Sequence, residues 1–342
     1  MMMDCPRYNG NSHPEEYVKE MITYCGFKQI TDETEIVKFS KLMIDSTIKI
    51  QQDIESCEGL VNALKEDITF SIFKNSCKRK LQLLKFKVER DGGDTALFIS
   101  NFRKLCRDAE INDIEKQKGS LYRTLPNDFF RNEFIKSYST INTMNDLLIC
   151  FENTLNEYSN FIRNGSAVAI KHVATGRYLS SWNKSYLTGS KSQMAFCGQS
   201  LQDSNAIWLI RSLDNSELLT YHSTIFLQHN NSNTYLDIHT KRDSKSPASG
   251  LTEVSCGTND NYSDYTWILE HSSKSENGEF LKTRDVVIFK NTYQDFTSNK
   301  HKEETLGSHD VTFTVDSDNL QEVFAHSGEL TENDKWCIEL ID

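Results

Sequence analysis

The chain has 342 residues, 37% hydrophobic and 25% charged, with a formal net charge of −11. That length favours two hydrophobic cores over one, and no run of about 18 apolar residues is present to span a membrane. Residues 1–163 carry 23 Lys+Arg against 25 Asp+Glu, whereas residues 164–342 carry 15 against 24. The acidic second half repels phosphate backbones, so nucleic acid is not an expected partner.

The opening stretch, MMMDCPRYNGNSHPEE, is polar and does not read as a secretory signal. The nine cysteines are scattered without a Cys-x-x-Cys pair, which excludes a patterned disulfide or zinc framework. They read as reduced, structural thiols, and the expected compartment is the cytoplasm or the nucleus.

Helix signals run through residues 12–160. Ser12-His13-Pro14-Glu15 reads as a capping box with proline in the first turn. Tyr17, Met21, Ile22, Tyr24 and Cys25 then share a helical stripe. Asp32 and Glu35 open a second helix bearing Ile36, Val37, Phe39, Leu42 and Met43. The dense positive run Lys78-Arg79-Lys80, with Lys85, Lys87 and Arg90, reads as a solvated helix face. The Gly92-Gly93 pair reads as a hinge or linker between two helix groups. Asp94 precedes a helix carrying Leu97, Phe98, Phe102, Leu105 and Cys106. Leu125-Pro126 starts a short helix with Phe129, Phe130 and Phe134, and Thr143 to Asp146 opens the last, with Leu147, Leu148, Phe151 and Leu155.

The order of Tyr8-Asn-Gly10-Asn-Ser-His-Pro14-Glu-Glu-Tyr17-Val, Thr31-Asp-Glu-Thr-Glu, Thr95 to Leu105 and Leu125-Pro126-x-x-Phe129 resembles the capsid region of gag from Ty3-type LTR retrotransposons. The resemblance implies an all-α domain over residues 8–160, two lobes split near 92–93, and self-association into a homo-oligomer. Tyr17 stands where that family usually has Trp, and no zinc knuckle follows.

Past residue 165 the pattern changes to β. Ala195 to Trp208, Val254 to Trp267 and Val323 to Trp336 align without gaps, and such self-similarity sets the architecture. Each copy opens on a hairpin-like signature: Ile170 to Leu179 with His172, Leu227 to Leu236 with His229, and Phe289 to Phe296 with Asn291. Successive signatures are separated by 57 and 62 residues, and the variation falls in polar loops, Thr240 to Gly250 and Asn299 to His309. The run His-x-x-Thr-Gly-Arg-Tyr-Leu, a Cys-Gly pair and Trp-x-Ile resemble the MIR domain of protein O-mannosyltransferases, inositol trisphosphate receptors and ryanodine receptors. This resemblance implies an all-β trefoil over residues 165–342, reached through a short connection at Arg163-Asn164-Gly165. The third copy departs from it: Asn291 replaces His, Phe296-Thr297 replaces Tyr-Leu, and Ala325-His326 replaces Cys-Gly.

Catalytic signatures are absent from the sequence: there is no GxSxG, HExxH or Gly-rich phosphate loop. No cofactor, metal or catalytic residue is expected. Asp237, Glu253, Asp260 and Asp264 read as a solvated acidic surface. The recurring residues His172, His229 and Asn291, and Trp208, Trp267 and Trp336, read as structural repeat positions. Trp182 has no counterpart in the other copies and is suited to stacking on a sugar or filling a partner's pocket. Trp182, His229 and Asp237 are the residues placed at a ligand. The expected function is a non-enzymatic binding or scaffold protein, with a glycan or protein ligand on the trefoil and clustering through the helical half. The alternatives are a glycosylation or quality-control accessory, a carbohydrate-active enzyme, and a retroelement remnant without a ligand.

Overall fold

The computed structural model describes residues 4–51, 53–199, 201, 204–239, 244–258, 265–272, 280–295 and 300–341. The chain divides into two compact units, Met1–Tyr158 and Ser159–Asp342, the first helical and the second β-rich. No helix among the described residues is long and apolar enough to cross a membrane.

The helical unit contains α1 (Pro14–Phe27), α2 (Glu33–Leu42), α3 (Cys57–Glu66), α4 (Ile68–Leu83), α5 (Thr95–Asp108), α6 (Ile114–Tyr122), α7 (Asp128–Ser137) and α8 (Met144–Ser159). Short polar side chains fix the starts. Asp32, Ser56, Asp67, Asp94, Asp113 and Asn127 each accept a backbone N–H of the first turn. The cap of α1 is His13, whose Nδ1 accepts the Glu15 N–H, and not Ser12, because Pro14 is already helical.

Two apolar centres fill this unit. One gathers Tyr8, Tyr17, Met21, Cys25, Leu60 and Leu64. The other stacks Phe86 against Phe98 at 5.0 Å and Phe151 at 4.9 Å, with Phe130 on Tyr158 at 4.6 Å. Glu110, just past α5, binds Lys65 of α3 and Lys74 of α4, each at 3.0 Å. The Gly92-Gly93 pair is a packed turn rather than a free hinge. Gly92 has φ +85°, the Gly93 N–H donates to the Val88 carbonyl, and a Cβ on Gly93 would lie 1.8 Å from the Lys87 carbonyl oxygen.

Among the described residues the β unit has twelve strands: β1 (Ser166–His172), β2 (Tyr178–Ser185), β3 (Gln193–Gly198), β4 (Ile207–Ser212), β5 (Thr224–His229), β6 (Tyr235–Ile238), β7 (Thr252–Gly257), β8 (Trp267–His271), β9 (Val286–Asp295), β10 (Lys300–Val315), β11 (Asp318–His326) and β12 (Trp336–Leu340). Six of them pair antiparallel in a closed cycle, β1–β4–β5–β8–β9–β12 and back to β1. Closure leaves this ring without an open edge. The other six form three hairpins, β2–β3, β6–β7 and β10–β11. Their second strands meet as a triangle, β3–β7, β7–β11 and β11–β3.

The unit starts ahead of Gly165. Ile162 lies in its core, and the Asn164 side chain accepts the Ser212 N–H at 3.1 Å, so the stretch read as a connection is packed. Trp208, Trp267 and Trp336 are 0% exposed in that core. Their indole N–H groups donate to the carbonyls of Leu179, Leu236 and Leu306 at 2.8, 3.1 and 2.9 Å. This equivalence corrects the third repeat. Its Tyr-Leu position is Thr305-Leu306, not Phe296-Thr297, which lie outside the described residues. The long β9–β10 hairpin, paired from Lys290 to Asp295, displaces the pattern along the chain.

Candidate functional site

The three repeats meet at three seams, and two of them carry the same lock. At the first, His172 sets Nε2 2.9 Å from the Asn333 carbonyl and Nδ1 2.9 Å from Thr175 Oγ1. A carbonyl only accepts, so Nε2 carries the proton and Nδ1 accepts from the Thr175 hydroxyl. Gln321 Nε2 then donates to Thr175 Oγ1 and to Ser308 Oγ at 2.9 and 2.7 Å. The second seam repeats this chain: His229 on the Asn205 carbonyl and Ser232, with Gln193 Nε2 on Ser232 and Ser181. Burial pushes the His172 pKa down, which suits a neutral ring.

The expected ligand residues separate under this geometry. His229 is 1% exposed with both nitrogens engaged, so it is a structural lock and not a ligand contact. Asp237 is buried on β6 in register with Ser255 of β7, so it is no surface carboxylate. Trp182 is half-buried on β2, edge-on to Phe196 at 4.7 Å, with Lys184 Nζ 5.0 Å above its ring. Among the other carboxylates read as solvated, Glu253 is buried, and Asp260 and Asp264 lie outside the described residues.

The third seam differs. Thr252 occupies the place of Gln193 and Gln321, one residue ahead of Glu253, and Asn291 occupies the place of the histidines. Asn291 Nδ2 donates to the Thr266 carbonyl at 2.8 Å, one residue before Trp267, whereas the histidines reach carbonyls three residues before their tryptophans, so the seam keeps a donor on the same stretch but at a different residue. The space left by the missing glutamine side chain holds Glu304. Its Oε1 accepts from Thr252 Oγ1 at 3.0 Å and Tyr293 OH at 3.2 Å, while Oε2 is enclosed with no donor among the described residues. Glu304 is 3% exposed and lines a cleft of 540 Å³ together with Thr252, Lys245, Lys302, Phe324 and His326.

Compensating exchanges build the wall of that cleft. In the first repeat Ser180 faces Gly198, where a Cβ would meet Ser180 Oγ at 2.9 Å. In the third repeat the glycine moves to the facing strand. A Cβ on Gly307 would lie 2.8 Å from the Phe324 ring and 2.9 Å from Asp334 Oδ1, and His326 takes the glycine's former place. His326 Nε2 donates to Asp334 at 2.7 Å and Nδ1 accepts the Gly328 N–H at 3.0 Å. The Asp334 carboxylate raises the His326 pKa, with burial opposing it.

Two further carboxylates sit in equivalent places on β7 and β11 and staple loops. Glu253 accepts the Ser190 N–H at 3.2 Å; burial raises its pKa, and the Ser190 groups only partly offset that. Glu322 accepts the Ala248 N–H at 2.6 Å, the Ser249 N–H at 3.1 Å and His309 Nε2 at 2.8 Å. Burial also acts upward on Glu322, but those donors outweigh it and its pKa is lowered.

No family model matches the chain, and no curated protein matches it. Solved structures do. The chain is similar to the SDF2-like protein from Arabidopsis thaliana at 25% identity, over 52% of this chain and 94% of that one, with a TM-score of 0.44. It is similar to the S. cerevisiae protein O-mannosyltransferase Pmt1-Pmt2 complex bound to the sugar donor, at 16% identity over 95% of this chain and 44% of that one, TM-score 0.42. It is also similar to the Macrolepiota procera ricin B-like lectin in complex with lactose, at 11% identity over 53% and 99%, TM-score 0.31.

Proposed function

We propose that the β unit is a β-trefoil of MIR type that binds a glycan in the third-seam cleft, and that the helical unit clusters copies of the chain. The reading is of a binding module and not of an enzyme. The observation that carries it is Glu304, an enclosed carboxylate with one oxygen lacking a donor, on the wall of a 540 Å³ cleft. A buried acceptor without a donor costs about 1–3 kcal/mol, and a hydroxyl-rich ligand supplies that donor once the Glu304 side chain turns to bring Oε2 out to the cleft. Six strands in a closed ring over three hairpins support the trefoil reading, as does the threefold tryptophan bond to a leucine carbonyl.

Capsid-like ancestry of the helical unit rests on the motifs from Tyr8 to Val18 and Thr95 to Leu105, which fall at α1 and α5. Clustering is favoured by apolar side chains left at the surface: Ile68 and Ile72, one turn apart on α4, are 69% and 59% exposed. Weak single-site affinity gains from such clustering by raising the effective concentration of neighbouring sites.

The test is a glycan array probed with the whole chain, followed by calorimetry on the best ligands, for the wild type and Glu304→Gln. Sugar binding that E304Q weakens at least tenfold is expected. A silent array, or binding that E304Q leaves intact, rejects this site. Light scattering on the same samples is expected to show assemblies larger than a monomer.

A further inference from the structure

We propose that a groove of the helical unit, lined by α4 and α6, binds a small oligophosphate, a ligand with two or more linked phosphate groups, through Lys78, Lys116 and Arg123. The site lies in the helical unit, so it stands or falls apart from the glycan cleft.

Three observations set the chemistry. The first is the charge. The groove has a volume of 470 Å³; Lys78, Lys116 and Arg123 line it, and no carboxylate does. The carboxylates of the flanking stretch 110–115 are engaged elsewhere. Glu110 is bound by Lys65 and Lys74, Asp113 accepts first-turn N–H groups of α6, and Glu115 is held by Lys118 and the Tyr138 hydroxyl. Lys78 and Lys116 form no ion pair among the described residues. Residues 74–90 carry seven Lys+Arg against one Asp+Glu, so the local field favours an anion although the chain is acidic.

The second observation is the posture of Arg123. Its Nε donates to the Gly119 carbonyl at 3.0 Å and its Nη2 to Ser120 Oγ at 3.3 Å. Ser120 Oγ is itself fixed, donating to the Lys116 carbonyl at 2.7 Å. The guanidinium is thus held along α6 before a ligand arrives, and a preorganised fork loses less entropy for each charge-assisted bond to phosphate. Lys85 Nζ donates to the Arg123 carbonyl at 2.9 Å and adds a further cation beside it.

The third observation is Gly119. Glycine is unfavourable inside a helix, yet this one stands in α6 on the face shared by Lys116 and Arg123. Neither a left-handed backbone nor a packing partner requires it, because a Cβ built there meets nothing within 4 Å. What a larger side chain would take is groove space. Lys116 and Arg123 are two turns apart, about 10 Å along the helix axis, a span that suits linked phosphates better than a single one. No aromatic ring lines the groove for base stacking, so phosphates rather than bases are the feature read.

The experiment is titration calorimetry on the whole chain with inorganic triphosphate, ATP, orthophosphate and citrate, in the absence of divalent metal. Triphosphate and ATP are expected to bind at least tenfold tighter than orthophosphate or citrate, with the affinity falling as salt rises. Arg123→Gln and Lys116→Gln are each expected to weaken triphosphate at least fivefold. Gly119→Leu is expected to weaken it at least tenfold while thermal melts show a fold no less stable than wild type, since leucine is the better helix former. The double variant Arg79→Gln/Lys87→Gln removes two charges from exposed positions outside the groove lining and is expected to stay within twofold. Equal binding of triphosphate and ATP means that the phosphates alone are read, and tighter ATP adds contacts to the nucleoside; either supports the proposal. No binding of triphosphate, citrate binding as tightly, or a loss in the remote double variant equal to that of Arg123→Gln overturns it. A short single-stranded RNA that binds tighter than triphosphate and keeps its affinity in Gly119→Leu also overturns it, and assigns this basic face to nucleic acid.

Discussion

Two seams of the β unit are closed by the same chain of hydrogen bonds, and the third is open. Where Gln321 and Gln193 each spend their amide donors on two hydroxyls, Thr252 has a short side chain and a carboxylate fills the gap. The closed seams are fully paired, with directions that leave no ambiguity at the histidines. The open seam keeps the half of the lock that fixes the chain ahead of the tryptophan, through Asn291, and gives up the half that lies over the cap. Threefold repetition allows this. Two locks and a continuous tryptophan core hold the ring, and the third position is released for a side chain that leaves an acceptor unpaired. Binding groups concentrate where local pairing rules are broken, because the rest of the fold carries the cost.

The largest expected effect is at a closed seam. His229→Leu removes partners from the Asn205 carbonyl and the Ser232 hydroxyl inside the unit, and is expected to cost about 3 kcal/mol in urea unfolding. His229→Asn copies the third seam's solution and is expected to recover about half of that loss, by keeping a side-chain donor on the backbone just ahead of Trp208, as Asn291 does ahead of Trp267. Equal losses for the two variants would break the equivalence between His229 and Asn291.

The repeats, the tryptophan core and the shared structural role of the histidines are legible in the sequence because they recur. Recurrence also marks Asn291 and Ala325-His326 as departures. The cleft itself was not legible, for two reasons. Glu304 is placed by a hairpin whose length shifts the third copy against the others, so a comparison by spacing puts Phe296-Thr297 where the register puts Thr305-Leu306. And the ungapped blocks stop two residues short of the informative pair. Extended to Gln193-Met194, Thr252-Glu253 and Gln321-Glu322, they show the short residue at the third seam directly. His229 and Asp237 look accessible in the sequence because polar residues near turns usually are, whereas pairing of β5 in the ring and of β6 with β7 buries both. In the helical half, caps and stripes mark α1, α2, α5, α7 and α8, while the starts of α3, α4 and α6 go unread, and Gly92-Gly93 reads as a hinge because sequence does not show the carbonyl that Gly93 packs against.

The equivalent carboxylates sharpen the comparison at smaller scale. Glu322 and Glu253 are 0% and 1% exposed in corresponding places, yet their pKa values move in opposite directions. Glu322 is lowered in the fold, so it contributes stability above the unfolded value of about 4.3 and loses it as pH falls through the folded value. Glu322→Gln is expected to cost about 1–2 kcal/mol at pH 7, with the difference from wild type narrowing in acid.

Glu253 runs the other way, with a smaller effect. Burial raises it and the Ser190 side chain, with the Ser190 N–H after it, compensates only in part, so the fold prefers the protonated form. Its stabilising contribution is therefore complete below about pH 4.3 and lost as pH rises through the folded value. At pH 7 the ionised group is a liability. Glu253→Gln keeps an acceptor for the Ser190 N–H without the charge, and is expected to raise stability by about 0.5–1 kcal/mol at pH 7. The gain should shrink toward zero at pH 4, where the wild-type carboxyl is also neutral. Urea midpoints at both pH values measure it. A variant less stable than wild type at pH 7, or a difference that does not change with pH, would show that Glu253 is stapled by its loop as firmly as Glu322, and that hydrogen-bond count does not separate the two sites.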